Sequence, residues 1–73
     1  MPRLLVVSGR QLIRALGRLG YEVSHIRGSH ARLVCPGHPS LTVPLHDELD
    51  RGTLSAILSE ADISAEQLVD LLR

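Results

Sequence analysis

Phenylalanine and tryptophan are absent from this chain, and Tyr21 is its only aromatic residue. The hydrophobic core must therefore be assembled from leucine, valine, isoleucine and alanine. With 73 residues, 44% of them hydrophobic, the chain is expected to form one domain over residues 1–73. Two cores would leave each half too little apolar surface to offset chain entropy. A core of this size supplies only about 3–5 kcal/mol of net stability, so a partner that buries part of the surface would be physically useful.

Cysteine is limited to Cys35, which excludes an internal disulfide and fits a reducing compartment. Long apolar runs are missing too. None approaches the roughly 18 residues of a membrane span, and the start, Met1-Pro2-Arg3-Leu4-Leu5-Val6-Val7, lacks the small-residue cleavage site of a signal peptide. A cytoplasmic protein with no membrane partner is expected.

Lysine is also absent, so every basic residue is arginine. The planar guanidinium suits bidentate phosphate contact, although a GC-rich genome would produce the same bias. The net charge of zero conceals an asymmetry. Residues 1–46 hold Arg3, Arg10, Arg14, Arg18, Arg27 and Arg32 against Glu22, a net +5, together with all four histidines. Residues 47–73 hold seven acids against Arg51 and Arg73, a net −5. The first half can attract phosphate and the second would repel it.

What is present reads clearly along the chain. Ser8 with Gln11 forms a capping box and Gly20 supplies a stop, which predicts a helix over residues 9–19. Leu12, Ile13, Leu16 and Leu19 make its apolar stripe, and Arg10, Arg14 and Arg18 line its flank. That row is either a rail for phosphates or a solvated helix face. After Gly20 the period changes to two, predicting strands over 21–27, 30–35 and 40–45, with turns at Gly28-Ser29 and Pro36-Gly37-His38-Pro39. Alternation places Ala31, Leu33 and Cys35 on one face with Leu41, Val43 and Leu45. His30, Arg32 and Thr42 then point the other way. Asp50 can cap a second helix carrying Leu54, Ile57, Leu58 and Ala61, and Ser64 with Gln67 opens a short third.

The resulting α+β order, α-β-β-β-α(-α), has a three-stranded antiparallel sheet with helices on one face. It resembles the double-stranded-RNA-binding domain, which grips A-form RNA through its shape, phosphates and 2′-hydroxyls. The local sequence carries more. Ser8-Gly9-Arg10, Leu19-Gly20-Tyr21-Glu22, Gly28-Ser29-His30, Thr42-Val43-Pro44-Leu45-His46 and Arg51-Gly52-Thr53-Leu54-Ser55-Ala56-Ile57-Leu58 together resemble the HicA (YcfA-like) toxin family over nearly the whole chain. That resemblance implies the mRNA-cleaving toxin of a type II toxin–antitoxin pair, silenced by a HicB-type antitoxin. It also makes His30 the catalytic residue. Some members of the family carry a second histidine where this chain has Ala31, so no histidine pair can operate within this turn.

An imidazole with a pKa near about 6.5 can serve as general base at neutral pH, and RNA supplies its own nucleophile in the 2′-hydroxyl. No metal or cofactor is implied. Arg27, Arg32 and the backbone amides of Gly28 and Ser29 are candidates to bind RNA and stabilise the phosphorane, with Arg10 and Arg14 contacting phosphate further out. His46 is the candidate second proton donor, whereas His25 and His38 read as ordinary strand and turn residues. Cys35-Pro36-Gly37-His38 has the spacing of half a zinc site, but no second pair completes it. Without the resemblance, the same features also fit a non-catalytic RNA-binding module, or an inactive relic that only docks a partner.

Overall fold

The computed structural model describes residues 6–73; Met1 to Leu5, including Arg3, lie outside the described residues. The element order is α1 (Gly9–Gly17), β1 (Glu22–Arg27), β2 (His30–Cys35), β3 (His38–Pro44), α2 (Arg51–Ala61) and α3 (Ala65–Leu71). The strands form one antiparallel sheet in the order β1-β2-β3. The expected α+β topology is therefore present. No helix of the described residues is long and apolar enough to cross a membrane.

Each helix starts where a side chain satisfies its free amides. Ser8 Oγ accepts from the Gln11 amide at 3.1 Å while Gln11 Oε1 accepts from the Ser8 amide at 2.8 Å, and Ser64 and Gln67 repeat the device for α3. Asp50 caps α2 by accepting from both the backbone amide and the hydroxyl of Thr53. α1 stops two residues earlier than its apolar stripe suggests. The chain tightens through residues 18–20 and reverses at Gly20, whose φ is +105°. Such a φ is open to glycine at little cost.

The second hairpin also departs from expectation. His38 and Pro39 belong to β3 rather than to the turn, because Pro36-Gly37 alone reverses the chain, with Gly37 at φ +82° and Cys35 paired to His38. Proline followed by a positive-φ glycine suits a type II turn. Pro39 and Pro44 are tolerated because β3 is an edge strand, where a missing amide need not break the ladder.

Ala31 and Leu33 of β2 and Leu41 and Val43 of β3 are buried beneath the helices with Leu12, Leu16 and Leu68. Cys35 and Leu45 are half-buried on the same side, as the alternation requires. Tyr21, at the entry to β1, is buried and its hydroxyl donates to the Pro39 carbonyl at 3.2 Å. Burial pushes its phenol above the ordinary range, with the Cys35 thiol and Glu60 adding to the shift, so the group stays a neutral donor. The cover is uneven. Val23 and Ile26 pair with Leu33 and Ala31, hence share the inner face, yet remain exposed at the β1 edge.

One contact locks α1 to the sheet. The Gly9 amide donates to the His46 carbonyl at 2.9 Å, and a Cβ on Gly9 would lie 2.0 Å from the Pro44 carbonyl oxygen, against the backbone of Pro44 and Leu45. Gly9→Ala should therefore lower stability by about 1–3 kcal/mol, as overpacking does, measured by urea unfolding. Gly17→Ala, where an added Cβ meets nothing within 4 Å, should be neutral or stabilising by up to about 1 kcal/mol. Equal effects at the two sites would contradict this packing.

The Thr53 amide and hydroxyl hold the Asp50 carboxyl below its ordinary range, with Gly52 and the His46 charge assisting. A folded-state pKa below the unfolded value means this contribution is present above about pH 4 and is lost as acid protonates the folded carboxylate. Asp50→Asn should make the acid side of the stability profile shallower, read from urea midpoints between neutral and acidic pH.

Candidate nucleic-acid interface

Among the described residues no element covers the outer face of the sheet, and its side chains follow from strand parity. Because Ala31 and Leu33 turn inward, His30 and Arg32 turn outward, and both are exposed. On β1 the matching positions are Arg27, opposite His30, and His25, opposite Arg32. Thr42 of β3 stands opposite Arg32 on the other side. Together His25, Arg27, His30, Arg32 and Thr42 line an open depression of about 250 Å³. Two guanidinium groups and two imidazoles meet there, and no carboxylate lines it.

His25 is the residue that sequence reasoning missed. In a regular strand it would share the inner face with Val23. Between Val23 and His25 the register slips by one residue, leaving Ser24 without a partner across the ladder. This β-bulge rotates His25 onto the outer face, an effect typical of bulges beside functional sites. A signal was available. Val23 and Ile26 stand three apart yet both lie on the inner face, which a strictly alternating strand forbids.

The bulge also anchors the ring. Ser24 Oγ donates to the Arg32 carbonyl at 3.3 Å and lies 3.2 Å from His25 Nδ1. The Ser24 hydroxyl thus engages Nδ1, and Nε2 is the other ring nitrogen of His25.

The turn joining Arg27 to His30 takes a shape that glycine permits. Gly28 has φ +59°, while Ser29 is not among the residues with positive φ, the pattern of a type II′ hairpin with glycine at its first central position. The Ser29 carbonyl accepts from the Leu45 amide at 2.6 Å, so the turn is tied to the exit of β3. The N-terminus of α1 abuts the same exit through Gly9.

The other candidates lie elsewhere. His46 follows Leu45 but does not line the depression; its carbonyl holds Gly9, and it helps to lower the Asp50 pKa. Arg10, Arg14 and Arg18 are exposed on α1, across the core from the open sheet face. Arg14 and Arg18 line a separate cavity of about 290 Å³ beside Gln11 and the C-terminal residues, and Arg18 donates to the Arg73 carbonyl at 2.8 Å. His38 packs its ring against Tyr21 at a centroid distance of 6.2 Å, away from the depression. Among the described residues, no three histidine, cysteine, aspartate or glutamate side chains gather as a metal site would require.

Comparison with known proteins bears on the same region. Residues 9–63 match the family model described as the HicA toxin of bacterial toxin–antitoxin systems. A chain from a toxin–antitoxin complex of Streptococcus pneumoniae superposes with a TM-score of 0.70 at 24% sequence identity, covering 78% of this chain and 98% of that one. No curated protein matches the sequence at a significant level.

Proposed function

The chain belongs to the HicA toxin family of bacterial toxin–antitoxin systems, and on that premise we propose that it is a metal-independent endoribonuclease with His30 as general base. The observation that carries this reading is the convergence of His30 with Arg27 and Arg32 on an open, cationic sheet face. An RNA strand can lie across such a face with its phosphates between the guanidinium groups. His30 removes the proton of a 2′-hydroxyl, and the oxygen attacks the adjacent phosphorus. The products are a 2′,3′-cyclic phosphate and a free 5′-hydroxyl. Arg32, Arg27 and the amides of the exposed Gly28-Ser29 turn stabilise the charge gathering on the phosphorane. Arg10 and Arg14, across the core from this face, and His46, outside the depression, stand apart from the phosphates of a strand bound there.

General base catalysis is worth roughly 10²–10⁴-fold. His30→Ala should accordingly reduce RNA cleavage in EDTA by about that factor while RNA affinity stays close to wild type. Arg32→Gln should weaken binding instead, and flatten the plot of log affinity against log salt by about 0.7, the share of a single neutralised phosphate on a single strand. Wild-type cleavage by His30→Ala would remove that residue from the chemistry. Salt-sensitive binding without any product, equal in both proteins, would favour a non-catalytic RNA-binding module.

The partner of this reading is a HicB-type antitoxin that covers the His30 face, since occluding the depression blocks both binding and chemistry. In the complex, His30 should be protected from diethyl pyrocarbonate relative to free protein, read by mass spectrometry with His38 as internal reference. Undiminished modification of His30 would place the antitoxin on another surface.

A further inference from the structure

We propose that His25 is a second catalytic residue, the general acid that protonates the leaving 5′-oxygen; this rests on the reading of the sheet face as a ribonuclease site. A lone general base leaves the departing alkoxide unprotonated, so a histidine acting singly is a poor catalyst. The β1–β2 ladder supplies the missing group. In the contiguous register His25–Arg32, Ile26–Ala31, Arg27–His30, the two histidines occupy one diagonal of a four-residue square and the two arginines the other. Diagonal neighbours on one face of an antiparallel pair lie about 7–8 Å apart, which leaves space for one phosphate between the imidazoles with an arginine on either side.

The step balances without a further reactant. His30 takes the 2′-hydroxyl proton as the 2′-oxygen bonds to phosphorus. The bond from phosphorus to the 5′-oxygen breaks with its electron pair, and that oxygen takes the proton from Nε2 of the His25 imidazolium. Solvent then reprotonates His25 and deprotonates His30. Two local features suit His25 to this role. The bulge at Ser24 is what puts the ring on this face, and the Ser24 hydroxyl, held by the Arg32 carbonyl, engages Nδ1, so that Nε2 is the nitrogen left for the departing oxygen. Ser24 is thus a positioning residue for His25.

The groups facing His25 are Arg27 and, beyond the bulge, Glu22 on its own strand, His30 and Arg32 on β2, and neutral Thr42 on β3. Of these only His30 carries a second imidazole. The wild-type pH–rate profile should be a bell whose alkaline limb belongs to His25 and whose acid limb belongs to His30.

The test compares wild type, His25→Ala, His25→Gln and His30→Ala on an RNA oligonucleotide and on the same oligonucleotide carrying a 5′-bridging sulfur at the cleaved link, whose thiolate departs without a proton. Both His25 variants should cut ordinary RNA about 10²-fold or more slowly, in keeping with the loss of one proton-transfer catalyst. They should lose the alkaline limb and recover most of the rate on the sulfur substrate. His30→Ala should be slow on both. Wild-type rates for the His25 variants, or an equal loss on both substrates, would overturn the assignment while leaving His30 as base. Absence of cleavage by the wild type itself would overturn the ribonuclease reading and this role with it. Unfolding midpoints measured alongside should match the wild type, and Ser24→Ala should move in the same direction as His25→Ala by a smaller factor.

Discussion

Burial of Ala31 and Leu33 beneath the helices governs the orientation of every side chain on the neighbouring strands. β2 is the central strand, paired on both sides, so its parity is imposed on β1 and β3 through the ladder. A slip of one residue would send His30 and Arg32 into an aliphatic core and bring Ala31 and Leu33 to solvent. Core residues and site residues are thus two halves of one alternating pattern. The energy that holds the site in register is the burial of the opposite face, since no ion pair or disulfide does so among the described residues.

The same frame explains how so small a chain can hold a preorganised surface. Arg27 and His30 flank a two-residue turn whose shape is set by Gly28, and that turn is tied to β3 through the Ser29 carbonyl. α1 presses its first residue against the end of β3, which requires glycine at position 9. The turn, the strand exit and the helix N-terminus therefore form a single mechanical unit. Backbone contacts hold that unit together, leaving the exposed side chains of Arg27 and His30 for solvent or ligand.

Charge adds a second layer. The basic half of the chain supplies the three strands and α1, while the acidic half forms α2 and α3. The depression on the sheet is lined by cationic and neutral groups alone. By charge alone, a polyanion would be drawn to the sheet and away from the C-terminal helices.

Local signals in the sequence determined the capping boxes at Ser8 and Ser64, the cap at Asp50, the alternation of β2 and β3, and hence the outward placement of His30, Arg32 and Thr42. These depend on residues a few positions apart, so local stereochemistry suffices to specify them. The reach of β3 back to His38 and the presence of His25 on the site face were decided by tertiary structure. Both arise from register shifts across the ladder, and a register shift exists only when two strands pair. The uneven spacing of Val23 and Ile26 recorded the bulge in the sequence, but which face those residues occupy was settled by Leu33 and Ala31 on the neighbouring strand.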